Sequence, residues 1–140
     1  VINSKLKNTG TSIFAVMTKL ANEKNAINLS QGFPDFDISN HLIELVTHYM
    51  KSGKNQYAPM PGVPELRKVI SDKIEKLYNC KYDFENEITI TAGATQALYT
   101  AISVLINVGD EVIIFEPAYD SYAPSVIANG GKPVFISLKV

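Results

Sequence analysis

One stretch constrains the chain more than any other: Ile88-Thr89-Ile90-Thr91-Ala92-Gly93-Ala94-Thr95-Gln96-Ala97-Leu98. Its β-branched start predicts a short strand over Ile88–Thr91. A small-residue turn follows, and a helix opens at Ala94. A turn made of Gly and Ala leaves the first N–H groups of the helix with no side chain in front of them. That end of a helix carries partial positive charge and fits a phosphate or carboxylate. Thr95 adds a hydroxyl donor. Many α/β proteins pass from strand to helix through glycine, so the turn alone names no ligand.

The residues after it repeat the alternation. A helix over Ala94–Ile106 places Ala97, Leu98, Ala101, Ile102 and Leu105 on one stripe, and Asn107–Asp110 makes a turn. Glu111–Phe115 reads as a buried strand. Glu116-Pro117-Ala118-Tyr119-Asp120-Ser121-Tyr122 leaves its carboxyl end, and a helix runs on through Ile127. Asn129–Pro133 turns the chain into a last strand, Val134–Leu138. The order β-α-β-α-β predicts an α/β fold with a mostly parallel sheet. Ligands of such sheets bind outside the carboxyl ends of the strands. The Gly93 turn and the Tyr119 loop are therefore expected to face one crevice.

Upstream, Ile13, Val16, Met17 and Leu20 have helical spacing behind Thr11 or Ser12 as a cap. Ser30-Gln31-Gly32-Phe33-Pro34-Asp35-Phe36-Asp37 is a loop. The next helix, capped by Asp37 or Ser39, carries Leu42, Leu45, Val46, Tyr49 and Met50 on one stripe and ends at Ser52-Gly53. His41 and His48 lie seven residues apart on it. That spacing and the lack of further ligands argue against a metal. Lys54–Gly62 is a loop rich in Pro and Gly, a class of segment that often carries function. Pro64-Glu65 opens another helix, with Leu66, Val69, Ile70, Ile74 and Leu77 as its expected buried stripe. Arg67, the only arginine, falls among lysines on the expected solvated face, which argues against a substrate clamp.

Composition excludes several classes. The 140 residues carry 46% hydrophobic and 19% charged side chains, enough for one domain with a core. The net charge of −1 is scattered, so neither nucleic acid nor an anionic membrane is an expected partner. With Cys80 as the single cysteine no intramolecular disulfide forms, which suits a reducing, cytoplasmic setting. Cys80 has no histidine beside it and reads as inert. The first residues lack the apolar core of a signal peptide, and no run is long enough to span a membrane. No GxGxxG, GxxxxGK[ST], CxxC, HExxH or GxSxG pattern occurs.

Four motifs in order now resemble a known family. They are Asn28-Leu29-Ser30-Gln31-Gly32-Phe33-Pro34-Asp35-Phe36; Asn55-Gln56-Tyr57 with Pro61-Gly62 and Leu66-Arg67; Thr91-Ala92-Gly93-Ala94-Thr95-Gln96-Ala97-Leu98; and Glu116-Pro117-Ala118-Tyr119-Asp120-Ser121-Tyr122. Together they resemble the pyridoxal-phosphate-dependent aminotransferases of class I/II, fold type I. The methionine and kynurenine/glutamine branch is the most similar. The resemblance covers nearly the whole chain.

It implies an aspartate-aminotransferase-like fold, with residues 1–37 as N-terminal arm and substrate-side loop and 38–140 as the first part of the large cofactor domain. It implies pyridoxal 5'-phosphate as cofactor, with the phosphate on Gly93, Ala94 and Thr95. Tyr119 would stack on the pyridine ring, where core packing is the alternative for a tyrosine. Tyr57 would reach the cofactor phosphate of a partner subunit in a homodimer, against the plainer reading of a loop tyrosine. Gly32 and Phe33 would meet the substrate, where a simple turn glycine is the alternative. The substrates implied are an amino acid (methionine, glutamine, or an aromatic such as kynurenine) and a 2-oxo acid.

The family's Schiff-base lysine, its Asp on the ring nitrogen and its carboxylate-holding Arg come later than residue 140. No catalytic residue is therefore assigned, and the 140 residues alone are expected to be inactive. Beside transamination stand a purely structural piece that folds only with further chain, and two other readings. One is β-elimination from cysteine conjugates on the same cofactor, and the other a non-catalytic α/β module holding a phosphorylated ligand.

Overall fold

A computed structural model of the chain describes residues 3–7 and 10–139. The fold divides into two compact units, Val1–Gly32 together with Ala92–Val140, and Phe33–Thr91.

In the first unit, Val112, Ile113, Ile114 and Phe115 have the branched and aromatic side chains that suit a pleated surface. They lie in β1 (Glu111–Glu116), which pairs in parallel with β2 (Lys132–Ser137), from Glu111 opposite Lys132 to Glu116 opposite Ser137. The turn before β1 is closed by Asp110, whose carboxylate accepts from the Asn107 N–H at 2.7 Å. The connection between the strands is α5 (Tyr122–Ala128), and α4 (Ala94–Leu105) packs on α5. Among the described residues of the unit, Ile114 and Val126 are the buried apolar side chains, and Ser125 is buried too. The helix α1 (Ile13–Glu23) starts at Ser12, whose hydroxyl accepts from the Ala15 N–H at 3.3 Å, as a cap should.

The parallel alternation expected from the sequence holds for α4-β1-α5-β2. Its first strand does not. Residues Ile88–Thr91 lie in no strand, because a strand exists through its ladder and the Ile90 N–H is instead given to the Pro61 carbonyl at 2.9 Å. Nor is β1 buried along its length: Ile114 is, while Ile113 and Phe115 are exposed. Ile13, Val16, Met17 and Leu20 of α1 are exposed too, and the half-buried positions are Phe14, Thr18 and Ala21.

In the second unit, α2 (Asn40–Lys51) and α3 (Pro64–Tyr78) appear close to their expected bounds. Ser39 is the cap residue of α2, without a side-chain bond to the helix. Pro64 takes the first helical position of α3, where its missing N–H costs nothing, and Asn79 ends the helix in the left-handed region at φ 52°. The apolar stripe of α2 is exposed, and His41 and His48 are exposed with it.

The inward face of α3 differs from the one its apolar spacing predicts. Leu66, Val69 and Leu77 are exposed, whereas Arg67 and Ser71 are buried and Ile70 and Ile74 half-buried. These four sit at i, i+3, i+4 and i+7, one face of a helix. Two of them are polar because this face meets backbone carbonyls. Ser71 Oγ donates to Tyr82 O at 2.6 Å, and the Arg67 guanidinium donates to Gly62 O, Phe84 O and Glu85 O. Arg67 is thus no part of a solvated lysine face.

Candidate functional site

The start of α4 is shaped by Gly93. As N-cap it has φ 90° and ψ 166°, a region essentially reserved for glycine. A Cβ built there would meet nothing within 4 Å, so the space before the helix is open. Gln96 reaches back to the turn, its side-chain oxygen accepting from the Ala92 N–H at 2.6 Å. The Gly93 carbonyl already accepts from Ala97. The N–H groups of Ala94 and Thr95, in the first turn, have no carbonyl of their own helix to bond. Both residues are exposed. The result is a braced helix start, open at the position a Gly93 side chain would take, that favours an anion.

Tyr119 stands on the loop that leaves β1 after a cis Glu116–Pro117 bond. Its carbonyl accepts from the Tyr122 N–H at 3.2 Å, and its ring meets the Tyr122 ring edge-on, with centroids 5.8 Å apart at 73°. The ring is 45% exposed, so one tyrosine supports it while much of its surface stays open. The plainer reading, a tyrosine packed in the core, does not describe this position.

A Cβ built on Gly32 would meet nothing within 4 Å, and Phe33 is 63% exposed. The loop before them is tied to α1 through Asn28. Its amide nitrogen donates to Thr18 Oγ1 at 3.0 Å, and its Oδ1 accepts from Ser30 N–H and Ser30 Oγ. Tyr57 is fully exposed (101%). Gly32, Gly93, Ala94, Thr95 and Tyr119 belong to one compact unit, Phe33 and Tyr57 to the other.

Two positioning contributions are not evident from the sequence. Gln96 closes the Gly93 turn, and Asn28 holds the Ser30 loop. A signal for the second is present, since an Asn two residues ahead of a Ser commonly bonds to that residue's backbone. Two titratable groups with shifted affinities lie in the second unit. A hydrogen bond from Asn86, then one from the Glu85 N–H, holds the Asp83 carboxyl below its ordinary value of 3.8. A hydrogen bond with Cys80 pushes the Tyr82 hydroxyl above its ordinary 10.0.

The chain belongs to the aminotransferase class I and II family, whose sequence profile matches residues 24–140. It is 55% identical over 128 residues to the methionine aminotransferase of Escherichia coli (strain K12), covering 91% of this chain and 33% of that protein. It is 40% identical over 123 residues to human kynurenine–oxoglutarate transaminase 1, covering 86% of this chain and 29% of that protein. A crystal structure of YbdL from Escherichia coli, described as having a methionine aminotransferase function, superposes with a TM-score of 0.93 at 51% identity, covering 99% of this chain and 36% of that one. The fold is therefore that of fold type I aminotransferases, and the chain spans about a third of the length of these relatives.

Enzymes of this family use pyridoxal 5'-phosphate. The residues of this chain fit it: an open, glycine-shaped helix start for a phosphate, and a supported but exposed aromatic ring for a flat heterocycle. Among the described residues no helix is long and apolar enough to cross a membrane.

Proposed function

We propose that the protein to which this chain contributes transfers an amino group from an amino acid to a 2-oxo acid, using pyridoxal 5'-phosphate. The donor is methionine, glutamine or an aromatic amino acid such as kynurenine. The carrying observation is the start of α4, where Gly93 leaves the amides of Ala94 and Thr95 without a side chain in front of them.

In this reading Gly93, Ala94 and Thr95 bind the phosphate through backbone N–H groups and the Thr95 hydroxyl. Gln96 holds the turn in shape. Tyr119 fixes the plane of the ring and leaves its substituents free. Gly32 and Phe33 border the substrate, the first letting a carboxylate approach backbone, the second forming pocket wall. Tyr57 reaches the phosphate held by a partner subunit, which makes a homodimer part of the proposal. What the cofactor supplies when bound is an electron sink for the bond-breaking step at the amino acid's α-carbon. Residues 1–37 act as arm and substrate-side loop, and 38–140 as the opening of the large cofactor domain. A cytoplasmic setting belongs to the same reading, supported by the lone cysteine.

The test uses the full-length protein and pyridoxal phosphate. The cofactor's visible absorption should change on adding methionine, glutamine or kynurenine, and the matching oxo acid should exceed one equivalent per cofactor only when a 2-oxo acid acceptor is consumed. Release of pyruvate and ammonia from a cysteine conjugate, without that exchange, would assign β-elimination instead. No cofactor absorption at all would leave a phosphate-binding module without this chemistry.

A further inference from the structure

Arg67 is the chain's only arginine, and the proposed transfer reaction gives it no task. It is 6% exposed. A guanidinium enters a protein interior at low cost only when its N–H groups find acceptors. Here Nε donates to Gly62 O at 3.2 Å, and Nη1 donates to Phe84 O at 2.7 Å and Glu85 O at 3.0 Å. All three acceptors are backbone carbonyls in loops, so the side chain clamps two loops to α3.

The loop that ends at Gly62 is the one carrying Tyr57. Its first end is tied by Lys54 N–H to Tyr49 O at 3.1 Å and by Asn55 Nδ2 to Met50 O at 2.8 Å. Its second end is a tight turn, with Gly62 N–H donating to Pro59 O at 2.8 Å and Pro61 O accepting from Ile90 N–H at 2.9 Å. Pro59 and Pro61 each fix one backbone angle. Tyr57 itself is wholly exposed, so no other residue of this chain packs beneath its side chain to set its direction. The two anchored ends do.

We infer that Arg67 is a positioning residue that acts through Tyr57: by holding the Gly62 carbonyl it sets the loop that offers Tyr57 to a cofactor phosphate. The inference rests on the role proposed for Tyr57 at that phosphate. Because the phosphate is what Tyr57 would touch, loss of the clamp should weaken recognition of the phosphate and leave recognition of the ring alone. A role confined to general stability would weaken both.

The experiment compares full-length wild type, R67K, Y57F and the double variant, each freed of cofactor and titrated with pyridoxal phosphate and with pyridoxal, which lacks the phosphate. R67K is expected to lower affinity for pyridoxal phosphate by about tenfold, with pyridoxal unchanged. In the Y57F background R67K should add nothing further. A folded R67K that binds pyridoxal phosphate as wild type does, that weakens both ligands equally, or that multiplies with Y57F overturns the inference.

Should R67K not fold, R67Q keeps a planar donor without the charge and is read in the same way. Amide hydrogen exchange in the wild type decides independently of any variant. The Gly62 and Ile90 N–H groups should be protected together with α3, and exchange at the rate of an open loop overturns the clamp. If the wild type binds no pyridoxal phosphate, the proposed function falls with the phosphate half of this inference, while the exchange result still reports on the clamp.

Discussion

Gly62 and Ile90 share one small volume. The Ile90 side chain fills the place where a Cβ on Gly62 would lie, its own Cβ 2.7 Å from that point, while Ile90 donates its N–H to the neighbouring Pro61 carbonyl. Gly62 also has φ 100°, so two separate constraints demand glycine there.

Gly62→Ala should therefore cost on the order of 3 kcal/mol or more, the sum of backbone strain and overpacking. Adding Ile90→Gly removes the collision and keeps the strain at position 62, so the pair should recover part of the loss and not all of it. Chemical denaturation of the full-length protein, run as a double-mutant cycle, measures both terms. Full recovery in the pair would show that φ imposes no cost.

Gly93→Ala separates shape from space. The added methyl meets nothing within 4 Å, yet φ 90° with ψ 166° excludes it, at about 1–3 kcal/mol. The turn should shift to relieve that strain, and the amides of Ala94 and Thr95 with it. Binding of pyridoxal phosphate should weaken, and binding of pyridoxal should not. Isothermal titration with the two ligands checks this, and equal weakening of both would count against a phosphate site at the turn.

Tyr119→Leu should give the opposite pattern. A ring that lies on a heterocycle contributes about 0.5–1.5 kcal/mol beyond its buried area, and that is lost whether or not the ligand carries a phosphate. Pyridoxal phosphate and pyridoxal should weaken by similar factors, and Tyr119→Phe should restore both. Loss confined to the phosphorylated ligand would move Tyr119 away from the ring.

The loop Asp83–Glu87 should respond to acid. Asn86 and the Glu85 N–H favour the ionised Asp83 carboxyl, which lowers its folded-state pKa. A lowered pKa means that the stabilisation is present above the unfolded value of 3.8 and is lost as pH falls through the lower folded value. Tyr82 runs the other way. Its raised pKa gives stabilisation below 10.0 that is lost as pH rises through the higher folded value. Protection of the Glu85 and Glu87 amides, taken against the unstructured exchange rate at each pH, should fall at the acid end in the wild type and show no such pH step in D83N. The alkaline change at Tyr82 should shrink in C80A.

Local signals in the sequence carry the element boundaries well. Ser12, Pro64 and Ser52-Gly53 each mark a helix end because capping chemistry is decided within a few residues. Which face of a helix turns inward is less legible. The apolar stripe of α3 points to Leu66 and Val69, but the interior face is set by what lies opposite, and there it is the carbonyls of Gly62, Tyr82, Phe84 and Glu85. Strand pairing is non-local in the same way. Ile88–Thr91 has the composition of a strand, and composition does not say whether a ladder partner is at hand. In the candidate site the Gly93 turn is readable as an anion cradle from its own residues. The roles proposed for Tyr57, Gly32 and Phe33 come from motif order alone, and Gln96 escapes notice because its contribution is a single bond back across the turn.

The full exposure of Tyr57 has a consequence for what selection can see. A side chain that buries no surface against its own unit contributes next to nothing to whether the chain folds or survives in the cell. Replacing it removes no packing within that unit, so any intolerance of substitution at position 57 comes from what the residue does in the assembled, working protein. Few positions in a chain keep those two pressures apart so cleanly. At Arg67 or Gly62 they are entangled with packing inside the unit, and at Tyr57 a library of variants reads assembly and use.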